Sequence, residues 1–157
     1  MRTGQARSSK PWGGGNGGLE VKVYALGLML LAARRSGMAN PFVHMELMAT
    51  DVGKAKAFYG QLFDWKLEDI DMGDMTYTMI RVGEGTGGGL MHNPMPNPTS
   101  QWVAYVEVAD VEAATRKAKS LGAKVMKEVA EIKGAGKFSI ISDPTGAMLG
   151  LWQAKKS

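Results

Sequence analysis

The sequence contains no cysteine among its 157 residues. Disulfide frameworks, cysteine-ligated zinc or iron–sulfur sites and thiol nucleophiles are therefore excluded, and any metal has to be held by His, Asp or Glu. Histidine is scarce as well, because only His44 and His92 are present. An imidazole-based site thus has at most these two side chains to draw on.

A basic surface of the kind that binds nucleic acid is also missing. The formal net charge is +4, but residues 1–37 carry six basic residues against Glu20 alone, and the rest of the chain is close to neutral. Polyanion binding needs clustered basic side chains. The lysines and arginine between positions 116 and 127 are expected on an exposed helix face and strand edge. The sequence therefore predicts no nucleic-acid partner.

A hydrophobic run long enough for a membrane helix is lacking too. The apolar stretch within residues 21–33 has about 12 residues, whereas a bilayer needs roughly 20. Arg34 and Arg35 follow it, where cleavage of an export signal requires small residues. We therefore expect no membrane association and a cytoplasmic protein. Residues 1–37, rich in Gly, Ser and Arg at their start, are expected to be a disordered or non-native extension of a domain at 38–157.

From residue 42 onward, a pattern of strand and helix occurs twice. Residues 42–49 alternate in polarity and lead to Asp51, an N-cap residue; residues 102–108 lead to Asp110, 59 positions later. A helix follows each aspartate, and Gly122 is expected to end the second helix. The residues expected to form the apolar faces of the two helices are Val52, Ala55, Phe58, Tyr59, Leu62 and Phe63, and then Val111, Ala114, Ala118 and Leu121.

Three further strands complete each half. Superposing Tyr77 on Phe138 aligns the later strands of the two halves, and Pro94, Pro96 and Pro98 mark a linker at 93–100. The sequence thus predicts an α+β fold in which two βαβββ modules in tandem, at about 40–92 and 101–154, form one shared curved mixed sheet with a central cavity. The remaining strands are expected at 66–71, 75–82, 87–91, 123–130, 137–142 and 147–153.

Alternation along the strands predicts which side chains line this cavity. If His44 faces it, Glu46 and Met48 lie beside it. The predicted lining of Met, Trp and Tyr with polar groups suits a planar or weakly polar organic molecule. The candidate ligand-binding residues are His44, Met48, Met91, Tyr105, Met148 and Trp152.

Two carboxylates are candidates for proton transfer. An apolar pocket would raise the pKa of Glu46 or Glu107, and His44 or Tyr105 would then stabilise an enolate-like oxygen. The candidate catalytic residues are therefore Glu46, Glu107 and Tyr105. A purely structural interpretation stands beside this one: His44 as a hydrogen-bonded core residue, and the two glutamates on a solvated rim.

The sequence resembles the vicinal oxygen chelate superfamily, which includes glyoxalase I, bleomycin resistance proteins and extradiol dioxygenases. The resemblance spans about Asn40 to Ala154. It rests on the strand–Asp–helix pattern repeated in both halves, on Ala57, Phe58 and Tyr59 before Phe63 and Trp65, and on the turn Asp143-Pro144-Thr145-Gly146 before the last strand. It implies the paired βαβββ fold, a small organic ligand and a homodimer.

The resemblance also implies where a metal would be held. Metal-dependent members carry ligands at four places, which correspond here to His44, Gly89, Val103 and Gly150. Only His44 can ligate, whereas a divalent ion needs three or more protein ligands. We therefore expect no metal and no other cofactor. The alternative is a metal-dependent lyase, isomerase or dioxygenase in which Glu46 and His92 supply relocated ligands.

Overall fold

The computed structural model describes residues 39–73, 75–96, 98–132 and 134–156. The predicted state of residues 1–37 lies outside the described residues. No helix within the described ranges is long and apolar enough to cross a membrane.

Two βαβββ modules follow one another along the chain, as predicted. The first consists of β1 (Phe42–Ala49), α1 (Val52–Leu62), β2 (Lys66–Asp71), β3 (Thr76–Arg81) and β4 (Gly88–His92). The second consists of β5 (Gln101–Glu107), α2 (Val111–Ser120), β6 (Lys124–Ile132), β7 (Gly136–Ser142) and β8 (Met148–Ala154). Strand boundaries agree with the sequence pattern to within two residues.

All eight strands join one curved mixed sheet, which confirms the predicted fold class. Their order is β2-β3-β4-β1-β5-β8-β7-β6, so the two modules meet where β1 pairs antiparallel with β5. β1 also pairs parallel with β4, and β5 pairs parallel with β8. The first strand of each module is therefore central and has a neighbouring strand on each side.

Local capping signals explain where both helices begin. Asp51 accepts a hydrogen bond from the backbone N–H of Lys54 at 2.9 Å, and Asp110 accepts one from Ala113 at 2.9 Å. Each aspartate thereby satisfies an N–H group that has no partner within the helix. Gly122 has φ +95°, the left-handed conformation that ends α2. Both N-caps and the glycine stop were predicted from the sequence.

The predicted apolar face of each helix was partly wrong. Val52, Ala55 and Tyr59 of α1 pack against the sheet, but Phe58 is 59% exposed, and Leu62 and Phe63 are also exposed. In α2, Thr115 is buried, whereas Leu121 is 67% exposed. Leu121 is the C-cap residue of α2, so it lies outside the regular helical face that the sequence pattern assumed.

The two faces of the sheet have different roles. One face packs against the helices: Leu47, Ala49, Ile80 and Leu90 lie under α1, and Val111 of α2 packs with Ile141 and Leu151 of the sheet. The other, which we call the inner face, carries side chains from both modules and forms one continuous core. The buried apolar residues of this core are Val43, Met48, Tyr77, Met79, Met91, Val103, Tyr105, Ile132, Ala135, Phe138, Ile140 and Trp152.

Candidate functional site

The inner face holds a buried polar group at the centre of its apolar core. Glu46 is fully buried on β1. The hydroxyl of Tyr105 donates to its Oε2 at 3.0 Å, and the hydroxyl of Tyr77 lies 3.3 Å from its Oε1. Nε2 of His44 lies 3.1 Å from the same Tyr77 hydroxyl. We call these four residues, His44, Glu46, Tyr77 and Tyr105, the Glu46 network.

The network joins the two modules across the middle of the sheet. His44 and Glu46 come from β1, Tyr77 from β3, and Tyr105 from β5 of the second module. His44 is opposite Tyr105 in the β1–β5 register. Their rings pack edge to face, with 5.8 Å between the ring centroids. Antiparallel pairing at the seam therefore brings together polar side chains that are 59 residues apart in sequence.

Two glycines make room for the two tyrosine rings. Gly89 on β4 is beside Glu46 in register, and a Cβ at Gly89 would overlap the hydroxyl of Tyr77. Gly150 on β8 is beside Tyr105, and a Cβ there would overlap the Tyr105 ring. Any larger residue at either position requires the adjacent tyrosine to move. The tyrosines and glycines are thus matched in shape.

Burial sets the protonation of the two titratable groups on β1. Desolvation raises the pKa of Glu46 to about 7, although hydrogen bonds from Tyr105 and Tyr77 oppose the shift. Desolvation lowers the pKa of His44 to about 4, so that its imidazole is neutral at pH 7. Nδ1 of His44 is buried and has no hydrogen-bond partner among the described residues. The pair therefore combines a carboxyl group that titrates near neutrality with an uncharged imidazole.

The predicted ligand-binding residues all lie on or beside the inner face. Met48, Met91, Tyr105 and Trp152 belong to its buried core, Met148 packs against it, and His44 belongs to the Glu46 network. Of the predicted catalytic residues, Glu46 and Tyr105 are in direct contact. Glu107 is half-buried at the end of β5, where its Cα is opposite that of Trp152.

Tyr77 was missed by the sequence-based prediction. It was used only to align the two halves, although alternation along β3 places it on the same side as Met79 of the inner core. The available signal was a glycine at 89 in the strand that follows, since a glycine inside a strand often marks the close approach of another group. Which group approaches depends on strand pairing, and the sequence pattern did not specify it.

The residues present do not fit a divalent metal held as in metal-dependent vicinal oxygen chelate proteins. Carboxylates at 89 or 150 are replaced by glycines whose space is filled by Tyr77 and Tyr105. Val103, at the remaining one of the four ligand positions, is buried opposite Glu46 and cannot ligate. Nowhere in the described ranges do three or more His, Asp or Glu side chains come together as a metal site would require.

The relocated ligand set that the sequence left open is wrong for His92. This residue is exposed at the end of β4, where it pairs with Ala49. Its neighbour Met91 points into the inner core, so alternation directs the His92 side chain to the opposite face of the sheet from Glu46. His92 and Glu46 therefore cannot bind one ion together.

Two open cavities lie at the turn between β3 and β4, away from the Glu46 network. Their volumes are about 450 and 430 Å³, and both are lined by Ile80, Val82, Gly87 and Gly88. One extends to Lys66 and Arg81, and the other to Met45, Trp65 and Trp102. None of the four network residues lines either cavity.

Comparison with known proteins agrees with this architecture. The family model of the Glyoxalase/Bleomycin resistance protein/Dioxygenase superfamily matches residues 42–151. CFP32 of Mycobacterium tuberculosis (strain CDC 1551 / Oshkosh), whose name describes it as a glyoxylase, is 35% identical over 117 residues. The match covers 71% of this chain but 45% of CFP32, so this chain spans less than half the length of that relative.

Solved structures show the same fold at low sequence identity. The hypothetical protein BH1468 from Bacillus halodurans C-125 has a TM-score of 0.58 and 15% identity, over 76% of this chain and 98% of that chain. A Streptomyces coelicolor methylmalonyl-CoA epimerase in complex with 2-nitronate-propionyl-CoA has a TM-score of 0.56 and 11% identity, over 76% and 100%. With the fold, the order of elements and the family model in agreement, this chain belongs to the Glyoxalase/Bleomycin resistance protein/Dioxygenase superfamily.

Proposed function

We propose that this domain binds a small organic molecule on its inner face without the family's usual metal, and that Glu46 takes up or releases a proton there. The observation that carries this proposal is the fully buried Glu46, which two tyrosine hydroxyls contact and which is in register with Gly89 and Val103. A buried carboxyl group costs stability unless its partners compensate for lost hydration. Perturbed titratable groups of this kind cluster at functional sites.

The roles of the network residues follow from their positions. Glu46 can accept a proton at pH 7, because its pKa is about 7 rather than that of an exposed carboxyl group. The Tyr105 hydroxyl holds the carboxylate and stabilises its charged form. We assign proton transfer to Glu46 and not to Glu107, which lies half-buried at the end of β5.

Methionines around the inner core support entry of a ligand. Met72, Met75, Met126 and Met148 are partly buried and pack against the core from its periphery. Methionine side chains are flexible and tolerate irregular contacts, so they can move aside at lower cost than branched side chains. The relationship to an epimerase that binds a CoA ester adds an acyl thioester to the candidate ligands.

Metal content distinguishes this proposal from its alternative, a metal-dependent lyase, isomerase or dioxygenase. We expect well under one equivalent of Zn, Ni, Mn or Fe per chain, measured by mass spectrometry on protein purified without chelator. About one equivalent in the wild type, lost in His44→Ala, would overturn the proposal.

A thermal-shift screen of small organic molecules tests binding, because a ligand of the native state raises Tm by mass action. Met148→Ala and Leu149→Ala form a matched pair, since these adjacent, half-buried residues of β8 pack on the inner core and on the α2 side, respectively. We expect ligand-induced shifts to be reduced in Met148→Ala and kept in Leu149→Ala. Equal loss in both variants, or no ligand at all, would contradict binding on the inner face.

The homodimer and the cytoplasmic location remain predictions. Sedimentation velocity of the purified chain at several concentrations tests the first, and fractionation of cells that express it tests the second.

A further inference from the structure

The direction of the hydrogen bonds in the Glu46 network depends on one proton. The Tyr77 hydroxyl has a single hydrogen, yet it lies between Nε2 of His44 at 3.1 Å and Oε1 of Glu46 at 3.3 Å. Tyr77 can therefore donate to only one of these two atoms at a time. The other atom must then donate a hydrogen of its own to the Tyr77 oxygen.

When Glu46 is ionised, both of its oxygens can only accept. Tyr105 then donates to Oε2, and Tyr77 donates to Oε1. Nε2 of His44 has to carry the imidazole hydrogen and donate it to the oxygen of Tyr77. In a neutral ring this leaves a lone pair on Nδ1, which is an acceptor.

When Glu46 is protonated on Oε1, the direction of these hydrogen bonds reverses. The carboxyl group donates to the Tyr77 oxygen, and Tyr77 turns its hydrogen toward Nε2 of His44, while Tyr105 continues to donate to Oε2. Each hydroxyl hydrogen still meets an acceptor. Nε2 is now an acceptor, so the imidazole hydrogen is on Nδ1, which becomes a donor.

Nδ1 of His44 is the last atom of this series of hydrogen bonds. It is buried and has no hydrogen-bond partner among the described residues, so it is available to a polar group of a ligand. The titratable groups facing Glu46 are His44 from its own strand, Tyr77 from β3 and Tyr105 from β5. The neighbouring strands β4 and β8 contribute Gly89 and Gly150.

We propose that Nδ1 of His44 contacts an oxygen of the bound molecule, and that a proton released there is stored on Glu46 through Tyr77. The inference rests on the proposed function and specifies its chemistry. The ligand hydroxyl gives its proton to Nδ1, Nε2 gives one to Tyr77, and Tyr77 gives one to Oε1. One proton enters and one carboxylate is neutralised, while the imidazole and the phenol end uncharged.

This arrangement suits a molecule with an enol or phenol hydroxyl. Such a hydroxyl is a far stronger acid than an alcohol, since the phenolic group of tyrosine has a pKa of about 10. Glu46, with a pKa of about 7, therefore accepts a proton from such a hydroxyl at a moderate free-energy cost. In the reverse direction, Nδ1–H donates to a carbonyl oxygen, so the same atom recognises both forms of an enolisable compound.

The tautomer of His44 can be measured in the ligand-free protein, and its change with pH tests the proton relay. We would record long-range ¹H–¹⁵N spectra of ¹⁵N-labelled protein between pH 5 and 9, with exposed His92 as an internal reference. The protonated nitrogen of His44 should move from Nδ1 to Nε2 as pH rises, with a midpoint near the pKa of Glu46, while the ring stays neutral throughout. A single tautomer over the whole range, or an imidazolium with a midpoint near 6.5, would overturn the relay.

Tyr77→Phe and Tyr105→Phe form the matched pair of variants. Both keep the aromatic ring over its glycine, but only Tyr77 links His44 to Glu46. The tautomer switch should be lost in Tyr77→Phe and kept in Tyr105→Phe with a displaced midpoint. A switch that survives in Tyr77→Phe, in a variant whose amide spectrum remains dispersed, would refute the role of Tyr77.

Phenol then tests the contact itself. Added in excess at pH 8, it should shift the Nδ1 resonance of His44 and leave that of His92 in place; an unmoved Nδ1 resonance would overturn the ligand contact. Failure of the proposed function has a different signature, because the absence of any thermal-shift ligand leaves the pH titration of the free protein readable, and a stoichiometric metal is detected directly by mass spectrometry.

Discussion

The rings of Tyr77 and Tyr105 fill the space beside Gly89 and Gly150, where a metal centre of the family's kind would need ligands. We predict that Gly89→Ala destabilises the protein by about 1–3 kcal/mol, because the new methyl group would overlap the Tyr77 hydroxyl. In a Tyr77→Leu background the same change should cost much less. Urea denaturation of the four variants gives the coupling between the two positions.

Gly60→Ala is the control for this cycle. Gly60 lies within α1, and a Cβ there would be 3.7 Å from Leu67, which is ordinary contact. Alanine should stabilise the helix by up to about 1 kcal/mol. Equal effects at positions 60 and 89, or no coupling between 77 and 89, would contradict the proposed match in shape.

His44 and Glu46 affect stability in opposite directions as pH changes. The folded pKa of Glu46, about 7, is above its ordinary value of 4.5, so its contribution is complete below pH 4.5 and is lost as pH rises to 7. The folded pKa of His44, about 4, is below its ordinary value of 6.5, so its contribution is complete above pH 6.5 and is lost as pH falls to 4. Each amounts to about 3 kcal/mol at 1.36 kcal/mol per pKa unit.

We therefore predict that these two contributions nearly cancel in the wild type between pH 4.5 and 6.5. In Glu46→Gln the unfolding free energy should rise with pH across this window, because only the His44 contribution remains. In His44→Gln it should fall as pH rises toward 7. Urea denaturation at half-unit pH steps measures all three profiles, and parallel profiles would show that neither group is perturbed by folding.

At the scale of elements, a buried hydroxyl pair attaches α2 to the sheet. The Thr115 hydroxyl donates to the Val111 carbonyl at 2.6 Å and lies 2.7 Å from Oγ of Ser139 on β7. Because the hydrogen of Thr115 is used within the helix, Ser139 is the donor between the two hydroxyls. Both residues are almost completely buried.

We predict that Thr115→Val destabilises the protein by about 1–3 kcal/mol, because it leaves the Ser139 hydroxyl buried without its acceptor. Adding Ser139→Ala should recover part of this loss. Thermal unfolding of the single and double variants measures both effects. Ser120→Ala, in the exposed last turn of α2, is the control and should change stability by less than about 0.5 kcal/mol; a purely additive double variant would argue against the pair.

At the scale of the whole molecule, neither module can close its own inner face. β1 and β5 pair over most of their lengths, and Tyr105 of the second module covers Glu46 of the first. A single module would expose its half of the inner core and leave β1 with an open edge.

We predict that a fragment of residues 39–96 shows no cooperative unfolding in urea, whereas residues 39–156 unfold in one transition. The fragment is measured at two concentrations, because pairing with a second copy would make its midpoint depend on concentration. A concentration-independent cooperative transition for the fragment would contradict a shared core.

Much of the fold was predictable because its signals are local. Alternation in strands, Asp51 and Asp110 before the helices, and Gly122 after α2 each act over a few residues. Alternation also selected the inner side of β1, β5 and β8, and so placed most candidate ligand residues on one face. The prediction failed at Phe58, which precedes the packed Tyr59 in α1, and at Leu121, which caps the end of α2.

By itself, the sequence determined the two modules, their order, and the loss of side chains at positions 89 and 150. Only the tertiary structure decided what occupies that space. Tyr77 meets Gly89, and Tyr105 meets Glu46, because strands distant in sequence pair in a particular register. The pKa values of His44 and Glu46 were likewise decided by packing, since desolvation arises only when both modules enclose the same face.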